Sequence, residues 1–555
     1  MNVHPFYGRT LVALCGLYLL VLMHIYQPNM GGIGLSLPIN ILGWCVISAI
    51  ICAALVLSFS QRMIVVSRSL VLFAFAACLL CIPLFYPEVR WVNAIGRMAG
   101  LFGGIVFYAT LQQQHLMKKN SGLLLVIILI SAGIEALYAL LQIFVFEAEN
   151  WMEFRPGQRA YGIFQQVNVL SSYLATGLGI AVYLLYQTDN SARTSSVVKG
   201  GNAALLVGIS LLSFVIVLIS SRIGYLGGGV AVLLLIGCYS KQHPRRTLLI
   251  IVAILAGGVA AKFGLPGSWL ESIAHEGSNR QRMMILHQSA LMIAEKPWLG
   301  WGYGSFGYHF QHFVGAKQPL VINHEIVTHP HNEIIYWWVE GGIVALMGMV
   351  LIGIGYLLPV IKDFNRTRLA LWGLTLPIML HTMTEYPLYQ SVPHLIVLVV
   401  LLVNVDSPCH CLKRQLSVKP WQKTGVLLIT LLSFLFLVTG LQTNEVLTRL
   451  ERSGLVDFVP AEKLINPYIQ WKRYELDRHY NKLVMYKTVK EKYLLVDYSR
   501  WAENYSRTTV NVNVYLTRIT VSNILSESIK AHEIYQELRL IAPAGYFQQV
   551  STKKN

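Results

Sequence analysis

The chain has 555 residues, 55% of them hydrophobic and only 13% charged, with a formal net charge of +17 and a mean hydropathy of +0.53. A water-soluble protein of this length would carry roughly a quarter of its residues as charges, so a soluble globular enzyme is excluded. Much of the positive charge sits in short loops between apolar runs, which is a topological signal, and nucleic acid is not expected as a partner.

In chain order, thirteen apolar runs are centred near Tyr18, Ser48, Ala77, Gly104, Ile128, Gly177, Ser210, Leu233, Leu255, Met347, Leu374, Val397 and Phe434. Each is about twenty residues long, enough to cross a hydrocarbon core. The first lacks a small-residue cleavage site and is followed at once by further runs, so it reads as a span rather than a signal peptide. Basic residues mark alternate loops: Arg9; Arg62 and Arg68; Lys118 and Lys119; Arg193 and Lys199; Lys241, Arg245 and Arg246; Lys362, Arg366 and Arg368; and Lys413, Arg414, Lys419 and Lys423. This bias puts those loops and the N-terminus in the cytoplasm. An odd number of spans then leaves a large loop, 264–328, and the tail, 443–555, on the outer side.

The expected fold is an all-α polytopic membrane protein of about 13 transmembrane helices over residues 1–442, followed by an α-helical domain over 443–555. In that tail, "RYELDRHYNKLVMYKTV" and "AHEIYQELRLIAPAGY" carry apolar residues at helical spacing. They resemble tetratricopeptide hairpins without a clean period. All eight cysteines fall in spans or inner loops, so no disulfide framework is expected outside. The "CHC" at 409–411 lacks the usual spacing of a zinc site.

Ionisable groups at a bilayer cost several kcal/mol unless paired or solvated, so those on the outer side are functional candidates. In "THPHNEIIYWWVEGG", Thr328 to Gly342, Thr328 is the expected N-cap and Pro330 fits the first turn. His331 would then share a helix face with Ile335, Trp338 and Gly342. Gly342 would let another helix approach closely. Such a helix start suits a phosphate; the alternative is a histidine that caps the helix among lipid headgroups. In "SSRIGYLGGG", Arg222 occupies a very short turn, and the glycines imply close packing of the next helix. It is either a snorkelling arginine or a fixed fork for a phosphate.

"GSNRQRMMILHQSALMIAEKPWLGWGYGSFGYHF" starts an amphipathic surface helix with Arg280 and Arg282 and continues into a glycine-rich turn. No strand precedes that turn, which excludes a nucleotide loop. "RAYGIFQQVNVLSSYLA" brings Arg159, Gln166 and Asn168 to the start of the sixth span. "HTMTEYPLYQ" places His381, Glu385 and Tyr386 in an outer turn. Arg97 and Glu135, inside spans, are expected to pair with each other. No Asp-x-Asp, HExxH or His/Cys cluster is present, so no metal is expected. One candidate base and several arginines suit a reaction whose leaving group is a lipid diphosphate.

These residues resemble the O-antigen ligase superfamily. The carriers are His331-Asn332 followed by nine residues and Gly342, the "SRIG" at 221–224, and the "PWLGWGYGSF" that ends at Phe306. "GIFQQVN", with Val167 where that branch favours proline, and "TEYPLY" are similar to the protein-glycosylating, PglL-type branch, as is the helical tail.

The resemblance implies a GT-C-like membrane fold and an oligosaccharyltransferase of the Gram-negative inner membrane, active on the periplasmic face. It would move a preassembled glycan from undecaprenyl diphosphate to Ser or Thr hydroxyls of pilin-like or other periplasmic proteins. By the same resemblance His331 is the essential histidine, and Arg222 contacts the diphosphate. The loop arginine is Arg282 or Arg280, with Arg282 favoured, and no cofactor is needed. Asn332, His329, Gln166, Asn168, Arg159, Glu385 and Tyr386 would support the substrate site. The competing readings are a ligase to lipid A–core, an O-antigen polymerase, and, from another class, a transporter of the lipid-linked glycan.

Overall fold

The computed structural model describes residues 6–59, 63–113, 117–188, 196–264, 276–317, 326–406 and 414–542. Its helices are α1 Phe6–Leu20, α2 Pro38–Leu57, α3 Arg68–Cys81, α4 Trp91–Gln112, α5 Met117–Phe144, α6 Val167–Gln187, α7 Ser196–Ile219 and α8 Arg222–Tyr239. They continue with α9 Pro244–Phe263, α10 Glu276–Glu295, α11 Phe306–Lys317, α12 Glu333–Lys362, α13 Arg366–Gly373, α14 Leu376–Thr382, α15 Pro387–Gln390, α16 Val392–Asp406 and α17 Pro420–Arg452. The tail adds α18 Val459–Glu462, α19 Trp471–Val489, α20 Lys492–Ser506, α21 Val512–Ile524 and α22 Ser528–Ile541. A short antiparallel pair, β1 Met63–Val66 with β2 Arg414–Ser417, is the one sheet among the described residues. The stretches 60–62, 114–116, 189–195 and 407–413, including "CHC", lie outside them.

Ten helices among the described residues are long and apolar enough to cross a membrane. They account for the runs near Ser48, Ala77, Gly104, Ile128, Gly177, Ser210, Leu233, Leu255, Met347 and Phe434. The runs near Tyr18 and Val397 form shorter apolar helices. The run near Leu374 divides into α13 and α14. The cause is local: Pro377 has no N–H to continue the helix, while Thr375 Oγ1 turns back to Trp372 O at 2.7 Å.

The chain divides into two compact units. The first comprises Met1–Ala74, Phe102–Ile273 and Ile352–Leu441. Its centre is α6, whose apolar window is 94% buried, as expected of a helix apolar all round. Small residues allow this close packing. A Cβ on Gly177 would press on Ala132 of α5, and one on Gly224 of α8 would overlap Ser171 Oγ. The backbone of α8 at Gly227 likewise lies against Pro377 of α14. The sequence expectation that the glycines after Arg222 mark a closely packed helix therefore holds for Gly224, Gly227 and Gly228; Gly229 has open space.

The second unit comprises Phe75–Leu101, Ala274–Leu351 and Gln442–Asn555. The stretch 264–328 is less of a polar loop than its composition suggests. Its described part holds both α10 and α11, the second of which the sequence reading did not anticipate. Residues 265–275 and 318–325 lie outside the description. In the tail, α19 to α22 pack each on the next, α19 to α21 around Leu495, Tyr498, Ala502, Val514 and Val521 and α22 through Ile534, Leu538 and Ile541 against Val510, Val512 and Tyr515. The last helix, α22, packs on α11, where a Cβ at Gly315 would overlap Leu540 O.

One tail carboxyl gives a pH prediction. Burial first, then the neighbouring Glu451, push Asp477 up to about 8, while Arg473 acts more weakly the other way. The folded tail thus keeps a proton that the unfolded chain releases at an ordinary carboxylate value of about 3.9. Its contribution to stability is present below that value and is lost as pH rises toward about 8. Hydrogen exchange of α19 in the solubilised protein should therefore be slower at pH 5 than the intrinsic exchange chemistry alone explains when compared with pH 8. Asp477→Asn should remove the difference.

Candidate functional site

In the first unit, three of the sequence stretches converge on Glu385. The "GIFQQVN" turn is fixed from beneath by α5. Gln142 Oε1 accepts from Tyr161 N and Gly162 N at 2.9 Å each. Glu135 accepts from Ile163 N at 3.0 Å. Glu135 also meets His24 Nδ1 at 2.8 Å, so the expected pairing with Arg97 is not made. Gln166 then N-caps α6, its Oε1 accepting from Val169 N at 2.7 Å. Val167 is the first residue of that helix, a position where a proline would fit because the missing N–H would be unused. The departure from Gln-Pro-Asn therefore leaves the local geometry intact.

Glu385 is almost fully buried. Its carboxylate accepts from Gln166 Nε2 at 3.0 Å and from Asn168 Nδ2 at 2.7 Å. His381 Nε2 stands 3.2 Å away. Asn168 Oδ1 in turn accepts from Ser221 Oγ at 2.7 Å, and Ser221 is the residue before Arg222. Arg159 completes the turn from the other side. Its guanidinium donates to Ile219 O and Ser220 O at 2.9–3.0 Å, satisfying carbonyls at the end of α7. The turn that carries Arg222, half-buried at the start of α8, is thus held by Arg159 and by Asn168. Tyr386 is half-buried at the start of α15.

Behind His381 lies a row the sequence reading missed. Ser172 Oγ is 2.8 Å from His381 Nδ1 and 3.1 Å from His394 Nε2, and His394 Nδ1 is 2.7 Å from Ser391 Oγ. A histidine inside the apolar run of α16 was the available signal. One arrangement satisfies the row: Ser391 donates to His394, His394 to Ser172, Ser172 to His381, and His381 to Glu385. Glu385→Ala would strand these donors and loosen the Arg222 turn. It should lower stability by about 1–3 kcal/mol, the cost of leaving buried donors without their acceptor. Thermal unfolding of the detergent-solubilised protein checks this.

In the second unit the structure corrects the reading of residues 328–342. The helix starts at Glu333, with Asn332 as N-cap through Oδ1 to Ile335 N at 3.1 Å; Thr328 is exposed and upstream. His331 therefore lies before the helix, in a left-handed conformation with φ 58°, and shares no helix face with Ile335 or Trp338. Its backbone N–H donates to His329 Nδ1 at 2.9 Å. Gly342 does not receive a neighbouring helix. It interrupts α12 with φ 64° and ψ −158°.

The glycine-rich turn fills that break with its own main chain. Trp301 N donates to Val339 O and Gly302 N to Glu340 O, both at 2.9 Å, and Ile343 N donates to Trp298 O at 3.2 Å. A Cβ on Gly300 would meet the main chain at Glu340 and Gly342, and one on Gly302 or Gly304 would meet that of Glu88 or Arg90. Arg97 sits among Tyr303, Tyr336 and Trp337, with its guanidinium carbon 4.2–4.7 Å from each ring centre. It pairs with the fully buried Glu340 at 2.6 Å. On α10 the buried positions are Ile285, Gln288, Ser289 and Met292. Arg282 extends that stripe by one turn and is half-buried, whereas Arg280 is exposed.

Three families match the chain. Residues 207–350 match the O-antigen ligase family, and residues 369–555 match the virulence factor membrane-bound polymerase C-terminal family. Residues 160–185, which contain Gln166 and Asn168, match the protein glycosylation ligase family. The chain is a PglL-type member of the O-antigen ligase superfamily. No curated protein gives a significant match. This PglL-type protein is a multi-pass membrane protein. Its families point to a glycosyl-transferring enzyme that uses a lipid-linked glycan donor and a protein or lipid acceptor.

Proposed function

We propose that the protein transfers a preassembled oligosaccharide from undecaprenyl diphosphate to a Ser or Thr hydroxyl of an exported, pilin-like protein, at the periplasmic face of a Gram-negative inner membrane. The observation that carries this reading is the convergence on Glu385 of Gln166 and Asn168, which lie in the segment matching the protein glycosylation ligase family. In the reaction the acceptor O–H gives its proton to the His331 imidazole as the oxygen attacks the anomeric carbon. The bond from that carbon to the diphosphate oxygen breaks with inversion, and undecaprenyl diphosphate leaves with the bonding pair. Arg222 and Arg282 carry the role of binding the developing diphosphate charge. The glycosyl diphosphate supplies the driving force.

The polymerase and O-antigen ligase matches favour a second reading with the same chemistry. There the hydroxyl belongs to a sugar, on lipid A–core or on a growing chain. Co-expression with a pilin-like acceptor and a lipid-linked glycan tests both. Glycan on the protein with wild type, lost in His331→Ala at matched membrane levels, supports protein transfer. Glycan on lipid A–core or as longer polymer, with none on protein, supports the second reading. Equal transfer by wild type and His331→Ala rejects His331 as the base.

A further inference from the structure

We propose that His329 is the positioning residue for His331, acting as a backbone clamp rather than as a second base. This rests on the reading of His331 as the group that takes the acceptor's proton. His331 adopts a left-handed backbone, φ 58°, which L residues other than glycine adopt at a cost and which the surroundings must hold. The hold is visible. The His331 N–H points at His329 Nδ1, 2.9 Å away. A side-chain acceptor two residues upstream of a backbone N–H is the arrangement that Asp and Asn supply in an Asx turn; here an imidazole supplies it. Pro330 between them is buried and fixes its own φ.

The His329 ring itself is fixed on its remaining sides. It is 7% exposed, its centre lies 4.4 Å from that of the Tyr336 ring, and Nε2 is 3.6 Å from Glu333 Oε2. Glu333 is anchored through Oε1 by the Trp337 indole N–H at 2.7 Å. Because Nδ1 accepts a hydrogen bond, the ring proton belongs on Nε2, on the side of Glu333. The two histidines of His-Pro-His therefore divide the labour. The Nδ1 lone pair of His329 is committed to the main chain, and the backbone it holds aims the His331 ring. With Asn332 capping α12 directly afterwards, the residues from 329 to 332 form one preset turn.

The test exploits side-chain shape. Asparagine at 329 places an amide oxygen near the position of Nδ1, glutamine places one further out, and alanine places none. Transfer of glycan is measured for wild type, His329→Ala, His329→Asn, His329→Gln and His331→Ala at matched membrane levels, with kcat and donor KM separated. His329→Ala and His329→Gln should lose roughly ten- to hundredfold in kcat, as expected for a misplaced catalytic group, with donor KM little changed. His329→Asn should recover most of that loss. If His329→Asn is as poor as His329→Ala, the ring acts on substrate and the clamp is rejected; the same follows if His329→Ala transfers like wild type. Full activity of His331→Ala removes the underlying reading and the clamp with it. An inactive His331→Ala beside indistinguishable His329→Ala and His329→Asn removes the clamp alone.

Discussion

Glu340→Ala is expected to destabilise the protein by about 3–5 kcal/mol, the usual result of removing one partner from a buried ion pair. Glu340 is fully buried and accepts from Arg97 Nη2 at 2.6 Å, Gly304 N at 3.0 Å and Phe306 N at 2.8 Å. Its loss leaves a guanidinium among aromatic rings without its carboxylate and strands two main-chain donors of the glycine-rich turn. Thermal unfolding of the detergent-solubilised protein measures the effect. Arg97→Met combined with Glu340→Gln should recover part of the loss, because it removes both charges while keeping apolar volume and a carbonyl acceptor. A double variant no better than Glu340→Ala would mean that neither the unpaired guanidinium nor the lost acceptor accounts for the destabilisation.

Gly342→Ala is expected to abolish transfer even though it adds one methyl group. The backbone at φ 64° and ψ −158° lies in a region reserved for glycine, at a cost of about 1–3 kcal/mol for other residues. A Cβ would also overlap the carbonyl of Trp298. Relief requires α12 to straighten or the turn to retreat, and either breaks the main-chain bonds at Val339, Glu340 and Ile343. Gly353→Ala, further along α12 with open space around it, is the control and should be neutral or slightly stabilising. Transfer assays and membrane levels of both variants separate a local defect from general intolerance of substitution in this helix.

The apolar runs were legible because a bilayer demands length and composition, and both are written locally in the sequence. The motif residues were legible as chemistry but not as geometry. Arg97 and Glu135 looked like partners because they were the charges within adjacent spans. Their actual partners lie 243 and 111 residues away, at Glu340 and His24, and nothing local encodes such distances. His331 was assigned to a helix because Thr328 and Pro330 form a plausible start. Asn332 is the cap that wins, since its own side chain reaches Ile335 N. Gly342 was read as a place for a neighbouring helix. It is a break because the glycine-rich turn offers main-chain donors and acceptors to the carbonyls and amide around it. His394 escaped notice as a single polar residue in an apolar stretch, although it belongs to the row that ends on Glu385.

The main-chain docking of residues 298–302 leaves the side chains at its tip uncommitted. Trp298 and Leu299 are 71% and 52% exposed, while the carbonyl of Trp298 and the amides of Trp301 and Gly302 do the holding. Mutational tolerance along this segment should therefore alternate sharply: glycines that admit no replacement beside large apolar residues that admit many. A saturation library confined to positions 298 and 299 would explore the outer surface of the turn while preserving the scaffold beneath it, which makes these two positions the natural place to retune what the turn presents to its surroundings.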